Sequence, residues 1–283
     1  MILVTGCSGQ LGRSIAKVLP TKGTYFLNRH QLDITSEIQV KQTIERFKPE
    51  KIINCAAYTK VDLAENNYDE AYAINTKGAR NLAIASDRSN CELIHVSTDY
   101  VYDGQQNRPY TEDCHITPYN VYGKTKFLGE EEIRGNCESH LIIRTSWLFS
   151  EFQNNFVTTI LSLLTQKEEI SVVYDQVGSP TYALDLAKLI AKVVNFEDLS
   201  KLYGTYNFAN QGVASWFDIA KHLKAISGSN CSVNPIESKE YPTIAKRPPF
   251  SVLNTKKIQD TFKVKPNYWI DSLDNCYLNL KNN

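Results

Sequence analysis

Two residues with complementary acid–base chemistry, Tyr122 and Lys126, stand four positions apart in the sequence. Residues at this spacing project from the same face of a helix and can interact. A neighbouring ammonium ion lowers the pKa of a phenol because it stabilises the phenolate. The pair therefore predicts a tyrosine that exchanges a proton with a reacting oxygen. Tyr277 and Lys281 have the same spacing, but they lie near the C-terminus without an accompanying motif and are expected to be a solvated pair.

A polar segment, Ser97-Thr98-Asp99-Tyr100, distinguishes the first pair from a chance occurrence, because it ends a predicted strand at residues 92–97. In an open parallel sheet, ligands bind beyond the carboxyl ends of the strands. A hydroxyl there can hydrogen-bond a substrate carbonyl oxygen beside the tyrosine. We expect Thr98 to do so, with Ser97 behind it. The alternative is a simple turn that ends the strand.

The N-terminus carries a glycine-rich turn, in which Gly6, Gly9 and Gly12 follow a strand-like run and open a helix. In dinucleotide-binding folds such glycines permit the turn, the approach of a pyrophosphate and the close packing of helix on strand. The first helical amides, at Gln10 and Leu11, then face the phosphates with the favourable end of the helix dipole. The spacing is one residue longer than the usual fingerprint, and a turn without a ligand is the alternative.

The end of the second predicted strand indicates which nicotinamide cofactor is used. A strand that serves NAD usually ends in an acid that bonds the ribose hydroxyl, but this one ends in Asn28-Arg29-His30. Arg29 could pair with a ribose phosphate, so the sequence favours NADPH, with NADH as a second possibility and a solvated Arg29 as the alternative. Four further residues are expected along the dinucleotide, two flanking the adenine and two at the sheet edge: Asp33, Ile34, Ala56 and Ala57.

The hydrophobic pattern predicts an α/β fold, a doubly wound parallel sheet of the Rossmann type with a smaller α/β C-terminal substrate-binding domain. Strands are expected at residues 2–5, 25–28, 51–56, 92–97 and 141–145, and helices at 10–19, 37–47, 72–86 and 121–134. After Trp147 the alternation breaks, with further elements expected at 156–164, 170–174, 183–194, 206–209, 216–225 and 268–280. We expect a dinucleotide-binding domain over residues 1–150 and a mainly substrate-binding domain over 151–283, from which some elements return to the main sheet.

Composition and charge exclude several classes of function. Lys plus Arg and Asp plus Glu both number 31, so the chain lacks the basic field that holds nucleic acid or an anionic membrane. No run approaches the roughly 18 apolar residues of a membrane span, and a signal-peptide pattern is missing, which predicts a cytoplasmic protein. The seven cysteines without C-x-x-C spacing and the scattered histidines argue against a disulfide framework or a metal site.

The glycine turn, the Ser-Thr-Asp-Tyr segment and the Tyr-x-x-x-Lys pair together resemble the extended short-chain dehydrogenase/reductase superfamily. Within it, the chain is similar nearly from end to end to the dTDP-4-dehydrorhamnose reductase family. The segments that carry this likeness are HVSTDYVY (95–102), NVYGKTK (120–126), RTSW (144–147), NNF (154–156), DQVGSPT (175–181) and RP (247–248).

The resemblance implies a reaction and a place for each participant. A hydride from the nicotinamide would reduce the C4 ketone of a dTDP-linked 6-deoxy-sugar, giving dTDP-L-rhamnose for surface polysaccharides. Tyr122 would donate the proton, Thr98 would bond the oxygen, and Lys126 would orient the ribose and lower the Tyr122 pKa. The sugar ring would be surrounded by Thr59, Val61, Asp99, Tyr100 and Trp147, and the nucleotide diphosphate by Asn155, the turn 178–181 and Arg247. Arginine suits the diphosphate through its planar fork, and Trp147 has the alternative of a core aromatic residue.

One departure from the family concerns magnesium. Some relatives carry a glutamate early in the first helix that helps to bind magnesium between subunits, whereas this chain has Arg13-Ser14-Ile15 there. The sequence therefore argues against that metal and that subunit contact. A homodimer is still expected, but not one that is held by this magnesium site.

Two other functions stay open at this point. The chain could be another nucleotide-sugar ketoreductase or an epimerase, and a tightly retained NAD would favour the epimerase. It could also be a regulatory subunit that binds a dinucleotide without turnover. The presence of Thr98, Tyr122 and Lys126 together speaks against the regulatory subunit.

Overall fold

Strands and helices alternate regularly in the first half of the chain and less regularly afterwards. The computed structural model describes residues 1–196 and 198–282. Its strands are β1 (Ile2–Thr5), β2 (Thr24–Leu27), β3 (Lys51–Asn54), β4 (Glu92–Thr98), β5 (His140–Thr145), β6 (Leu148–Phe149), β7 (Glu169–Val173), β8 (Val177–Gly178), β9 (Thr181–Tyr182), β10 (Gly204–Asn207), β11 (Ala214–Ser215), β12 (Ser232–Ile236) and β13 (Phe250–Ser251). Its α-helices are α1 (Gln10–Val18), α2 (Glu37–Phe47), α3 (Val61–Ala64), α4 (Tyr68–Tyr72), α5 (Gly78–Arg88), α6 (Val121–Asn136), α7 (Phe156–Gln166), α8 (Ala183–Val194), α9 (Trp216–Ser227), α10 (Lys256–Phe262) and α11 (Trp269–Lys281).

Six strands form one parallel sheet in the order β10-β5-β4-β3-β1-β2. The chain places β2 on one side of β1 and then β3 on the other side, so the strand order reverses between β1 and β3. Ligands of doubly wound sheets bind at such a reversal, beyond the carboxyl ends of the strands. The predicted fold class, a doubly wound parallel sheet flanked by helices, is confirmed.

Both faces of the main sheet are covered, which explains its runs of consecutive apolar residues. Neighbouring residues of a strand point to opposite faces. Leu3 and Ile52 therefore pack in one layer with α2, α5 and α6, while Val4 and Ile53 pack in the other with α1, α8 and α10. Because α8, β10 and α10 come from the second half of the chain, that half contributes directly to the main sheet and its covering layer.

The rest of the second half encloses a separate apolar core. Helices α7, α9 and α11 pack with the parallel pair β7–β12 around buried residues that include Ile160, Leu223 and Trp269. Side chains at the helix starts fix the entry of α7 and α9, since Asn155 and Ser215 each form a capping box. Strands β6 and β9 pair with each other where this core meets the carboxyl edge of the main sheet.

The departures from the predicted elements are local. The predicted helix 72–86 begins earlier, at Tyr68, and contains a π-helical stretch, Ala73–Lys77. Strand β12 was not predicted because it contains Pro235, which an edge strand of a two-stranded sheet tolerates. The two-residue strands are too short to show a hydrophobic period in the sequence. None of the helices in residues 1–196 and 198–282 combines the length and apolar character of a membrane crossing.

Candidate active site

A cleft of about 710 Å³ lies at the carboxyl edge of the main sheet, where the strand order reverses. This volume is in the range that holds cofactors and small substrates. The first half contributes the glycine turn, the ends of β3, β4 and β5, and α6, while the second half contributes residues 153–157 and α9. The predicted site residues that line the cleft are Gly6, Gly9, Gln10, Leu11, Gly12, Arg29, Asp33, Ile34, Ala56, Ala57, Thr59, Val61, Thr98, Asp99, Tyr100, Tyr122, Lys126, Trp147 and Asn155.

The glycine turn brings three backbone segments together where no side chain fits. Gly6 has a φ of +64°, and a Cβ on it would lie 2.7 Å from the Ala56 nitrogen. A Cβ on Gly12 would lie 2.5 Å from the Gly6 oxygen. The N-cap of α1 is Gly9, whose lack of a side chain leaves the first helical amides facing the cleft. This cradle therefore fits a pyrophosphate, as the dinucleotide interpretation requires.

The opposite end of this half of the cleft holds the residues predicted for the adenosine part of the cofactor. Arg29 is largely exposed, and its nearest acid, Glu70, lies 3.8 Å away. Such an exposed pair is weak and leaves the guanidinium available to a phosphate. The carboxylate of Asp33 instead accepts hydrogen bonds from the amide and hydroxyl of Thr35, so it shapes the loop. The structure thus gives Arg29 a weakly paired charge and Asp33 a local partner.

Tyr122 and Thr98 come together because α6 begins directly against the segment that follows β4. A Cβ on Gly123 would lie 2.1 Å from the Tyr100 oxygen, so the helix start and this backbone are in direct contact. The Tyr122 ring packs edge-on against Tyr100 at 5.6 Å. Burial raises the pKa of Tyr122 to about 12, with the Thr98 hydroxyl acting in the opposite direction. The phenol is therefore protonated at neutral pH, as a proton donor must be.

Lys126 is buried one helical turn after Tyr122. Its Nζ donates a 2.7 Å hydrogen bond to the Val96 oxygen and lies 3.1 Å from His95 Nε2. Burial lowers the pKa of Lys126 to about 8, and the charge of Glu130 opposes this. That Lys126 lowers the Tyr122 pKa stays a prediction. Loss of phenolate solvation dominates that pKa, and the Lys126 amine is held by Val96 and His95.

Asp99 places a carboxyl group beside the Thr98 hydroxyl. Thr98 Oγ1 donates to Asp99 Oδ1 at 3.1 Å and accepts from the Tyr100 amide. Burial raises the pKa of Asp99 to about 7, against the effect of its hydrogen bonds. The side chain can therefore carry or release a proton near neutral pH, which suits a contact with a sugar hydroxyl.

An aromatic wall forms the side of the cleft away from the glycine turn. Trp147 has a left-handed backbone, with a φ of 49°, and its ring stacks on Trp216 at 3.6 Å with an angle of 5° between the planes. Gly178 backs the same ring, since a Cβ there would lie 2.5 Å from Trp147. Trp216 was not among the predicted site residues, although an element was expected to begin at this residue. Trp147 belongs to the cleft wall and also packs on the second core.

The three features predicted for the nucleotide diphosphate are placed differently from the rest. Arg247 does not line the cleft, because its guanidinium binds the Asp62 carboxylate at 2.6 and 3.0 Å. Asn155 lines the cleft, but its side chain caps α7 and donates to the Ser150 oxygen. The turn 178–181 supports Trp147 rather than lining the cleft. The diphosphate roles of these residues stay predictions.

A segment at residues 150–154 reaches back over the glycine turn and was not predicted. Ser150 Oγ donates to Gln10 Oε1, and Gln153 Nε2 donates to the Ser8 oxygen. Cations of α1, at Arg13 and Lys17, lie over the Phe152 ring. Arg13 and Lys17 of α1 thus contact this segment. The part of the chain that the structure describes has no group of three or more His, Cys, Asp or Glu side chains able to hold a metal ion.

Known proteins are similar to this chain over nearly its whole length. A family model described as "RmlD substrate binding domain" matches residues 1–282. The dTDP-4-dehydrorhamnose reductase of Aggregatibacter actinomycetemcomitans is 41% identical over 97% of both chains. The Bacillus subtilis (strain 168) spore coat polysaccharide biosynthesis protein SpsK is 36% identical over 96% of this chain and 95% of its own. The Bacillus anthracis dTDP-4-dehydrorhamnose reductase in complex with NADP superimposes with a TM-score of 0.94, at 38% identity over 98% of both chains. Because the matched family spans nearly the whole sequence, this chain belongs to the RmlD substrate binding domain family.

Proposed function

We propose that this chain is an NADPH-dependent reductase that converts dTDP-4-dehydro-L-rhamnose to dTDP-L-rhamnose. Relatives that share more than a third of its residues over nearly their whole length carry this activity in their names, and one was solved with NADP. The observation that carries the proposal is the single cleft that joins the glycine cradle to Tyr122, Thr98 and Lys126. An SpsK relative in spore coat polysaccharide synthesis supports the use of the product in a polysaccharide.

The chain's own residues divide the work of cofactor binding. When bound, NADPH supplies the hydride that reduces the C4 ketone. The amides at the start of α1 and the cradle of Gly6, Gly9 and Gly12 bind its pyrophosphate. Arg29 binds the ribose phosphate that distinguishes NADPH from NADH, and its exposed, weakly paired guanidinium supports this role. The small Ala56 and Ala57 leave room at the sheet edge.

Tyr122 donates the proton that completes the hydroxyl at C4. Its O–H bond breaks as the new O–H bond forms on the former ketone oxygen, and a phenolate remains. A phenol with a pKa near 12 is protonated at neutral pH, and an alkoxide is still a much stronger base, so the transfer is downhill. Thr98 hydrogen-bonds the same oxygen and holds it beside the phenol. Because the phenol is protonated at neutral pH, Tyr122 is ready to donate in the direction of reduction.

The sugar side of the cleft is built from side chains. Thr59, Val61, Asp99 and Tyr100 face the Trp147–Trp216 wall across the space beside Tyr122. Aromatic faces and a few polar groups are the usual means of orienting a sugar nucleotide. We also propose the domain division made from the sequence, with residues 1–150 mainly for the dinucleotide and 151–283 mainly for the substrate. The cytoplasmic location and the homodimer stay predictions.

A panel of nucleotide-linked keto-sugars, each tested with NADPH and NADH, examines this function. We expect the loss of reduced-nicotinamide absorbance to be fastest with dTDP-4-dehydro-L-rhamnose and NADPH, with dTDP-L-rhamnose as the product. The matched control is Tyr122→Phe, which should bind NADPH and turn over far more slowly. Turnover of a different keto-sugar alone would assign the chain to another ketoreductase. Purification with a tightly held NAD, and sugar isomerisation without net oxidation, would assign it to an epimerase.

A further inference from the structure

A bidentate ion pair joins the second half of the chain to the rim of the cleft. Arg247 Nη2 donates to Asp62 Oδ2 at 2.6 Å, and Arg247 Nη1 donates to Asp62 Oδ1 at 3.0 Å. The backbone N–H of Ala245 donates to the same Oδ1 at 3.0 Å. Asp62 lies in the four-residue helix α3. Three hydrogen bonds to one carboxylate therefore attach the segment 245–247 to that helix, and we call this contact, formed by Asp62, Ala245 and Arg247, the clasp.

The clasp differs from an ordinary surface ion pair. Exposed pairs contribute little because water screens them and both side chains lose freedom. Here the Arg247 side chain is 18% exposed and that of Asp62 is 40% exposed, and the planar guanidinium meets both carboxylate oxygens. Arg247 Nη1 also donates to the Ala245 oxygen at 2.8 Å, which folds the segment around the guanidinium. The hydrogen bond from Arg247 lowers the pKa of Asp62, so the carboxylate is charged at neutral pH.

Helix α3 needs a contact of this kind at its start. A single helical turn has too few internal hydrogen bonds to be stable alone, and its N-cap residue, Lys60, provides no side-chain cap. The end of the helix is held by packing, since Ala64 is fully buried and packs with Tyr58. Lys60, at the other end, is exposed. The clasp therefore supports the exposed start of the helix.

The start of α3 also forms one side of the proposed sugar site. Thr59, just before the helix, and Val61, its first residue, both line the cleft. Tyr100 lines the same part of the cleft. Burial raises the pKa of Tyr100, and the charges of Arg247 and Asp62 act on it in opposite directions, which places the clasp near this side chain. A displaced helix start would thus change the wall that faces the sugar.

We propose that Asp62 and Arg247 are positioning residues for the sugar nucleotide. Their ion pair fixes the start of α3 and so keeps Thr59 and Val61 in the wall of the sugar site. This inference extends the proposed function and rests on it. When the clasp is open, the substrate itself must order the wall, so its apparent affinity falls in proportion to the fraction of molecules that are competent to bind.

Tyr122 is anchored separately from the clasp. The Asn120 side chain caps α6 by accepting from the Gly123 N–H at 2.8 Å, and the Val121 N–H donates to Glu65 Oε1 at 2.9 Å. Glu65 directly follows the buried end of α3. Loss of the clasp should therefore weaken substrate binding and leave the turnover rate of bound substrate nearly unchanged.

The segment that carries Arg247 has anchors of its own. The Lys246 oxygen accepts from Asn120 Nδ2 at 2.8 Å, and the Pro249 oxygen accepts from the Val177 N–H at 2.9 Å. These hydrogen bonds do not involve Asp62. Loss of the ion pair should therefore free the start of α3 rather than the segment 245–249.

The family resemblance implies a different use of Arg247, a direct contact with the nucleotide diphosphate. The two uses differ in what they predict for Asp62. If Arg247 binds the diphosphate, removing the Asp62 charge frees the guanidinium and should leave substrate binding unchanged or improve it. If Arg247 acts through the clasp, removing either partner should weaken substrate binding to the same extent.

Steady-state kinetics of Asp62→Asn, Arg247→Gln and the double variant test the clasp, with dTDP-4-dehydro-L-rhamnose as substrate and saturating NADPH. We expect each of the three to raise the KM for the sugar nucleotide by roughly tenfold, the scale of a lost hydrogen-bonded charge pair. The double variant should be no worse than either single variant, because both remove the same interaction. Separate runs should show that kcat and the KM for NADPH change by less than about twofold.

The matched control is Glu45→Gln, which removes an exposed ion pair with Lys41 in α2 and should leave the KM for the sugar nucleotide unchanged. A raised KM in Arg247→Gln with an unchanged or lowered KM in Asp62→Asn would overturn the clasp in favour of a direct diphosphate contact. Unchanged KM values in all three variants, or single effects that multiply in the double variant, would also overturn it.

Amide hydrogen exchange of the full chain, followed by NMR, tests the clasp without a substrate. The Ala64 N–H donates to the Lys60 oxygen at 2.9 Å within α3. We expect this amide to exchange faster in Asp62→Asn and Arg247→Gln than in the wild type, while the Gly123 N–H of α6 keeps its rate. Equal rates at Ala64 in the variants and the wild type would refute the clasp. A chain inactive with every keto-sugar would reject the proposed function, whereas the exchange rates still decide whether the ion pair fixes α3.

Discussion

The two ends of the cleft are built by different means. At the glycine turn, backbone meets backbone, and Gly6 and Gly12 are essential because any Cβ would enter a neighbouring segment. At the other end, polar side chains such as Tyr122, Lys126 and Asp99 carry the chemistry, and loss of contact with solvent shifts the pKa of each. Substitutions at the glycine-turn end should therefore disrupt the cleft by steric overlap. Substitutions at the acid–base end should disrupt it by changing hydrogen bonds and charge.

The largest effect is expected at the acid–base end, from Tyr122→Phe. This change removes one oxygen and leaves the ring packed against Tyr100. We expect kcat to fall at least about a hundredfold, the scale for loss of a general acid, with little change in NADPH affinity. Steady-state rates and a fluorescence titration with NADPH would separate the two quantities. A kcat close to that of the wild type would remove Tyr122 from its assigned role.

Asp99→Asn should change the stability of the protein in a way that depends on pH. This would distinguish the acid–base end of the cleft from the glycine-turn end. Burial raises the folded-state pKa of Asp99 to about 7, so the wild type loses stability as pH rises from about 4 through about 7. The amide does not ionise, and the variant should be more stable above pH 7 by up to about 4 kcal/mol. The difference in unfolding free energy between the variant and the wild type should vanish near pH 4, apart from any constant offset. Urea unfolding at a series of pH values measures this, and a difference that does not depend on pH would contradict it.

Gly12→Ala should disturb the glycine-turn end of the cleft, and its effect should not depend on pH. The new Cβ would lie 2.5 Å from the Gly6 oxygen and from the Cys7 Cα, so backbone must move. We expect the free energy of unfolding to fall by about 2 kcal/mol, as in overpacked sites, and NADPH binding to weaken. Gly135→Ala is the matched control, because Gly135 lies in α6 with nothing within 4 Å of the new Cβ. Equal effects of the two changes would show that the close approach has no role.

The smallest effect is expected from Arg29→Ala, at the exposed rim of the cofactor end. Loss of a solvated contact with the ribose phosphate should raise the KM for NADPH by roughly fivefold. The KM for NADH, which lacks that phosphate, should change much less. Steady-state kinetics with both cofactors provide the comparison. An equal change in the two KM values would leave Arg29 without a part in cofactor choice.

The parts of the site that are local in sequence could be predicted, since their geometry follows from spacing along one element. Gly6, Gly9 and Gly12 lie within one strand–helix turn, and Tyr122 and Lys126 lie within one helix. The central strands were predictable because each contains a short run of apolar residues. In these cases the covalent chain itself fixes which groups meet.

Contacts between distant segments could not be predicted in this way. The His95 contacts join β4 to β3 and α6, and the Trp147–Trp216 stack joins residues 69 positions apart. The balance of burial and charge at Tyr122 also depends on the packed structure, so burial as the main influence on its pKa was not predicted. Arg247 shows the same limit, because its partner Asp62 lies 185 positions away.

The proposed function depends on hydride transfer from a bound nicotinamide to the sugar ketone inside this cleft. The most direct measurement supplies NADPH that carries deuterium at the transferable position, together with dTDP-4-dehydro-L-rhamnose, and examines the product by NMR and mass spectrometry. The account predicts dTDP-L-rhamnose with one deuterium on C4. Product without deuterium, or no product although NADPH binds, would contradict it.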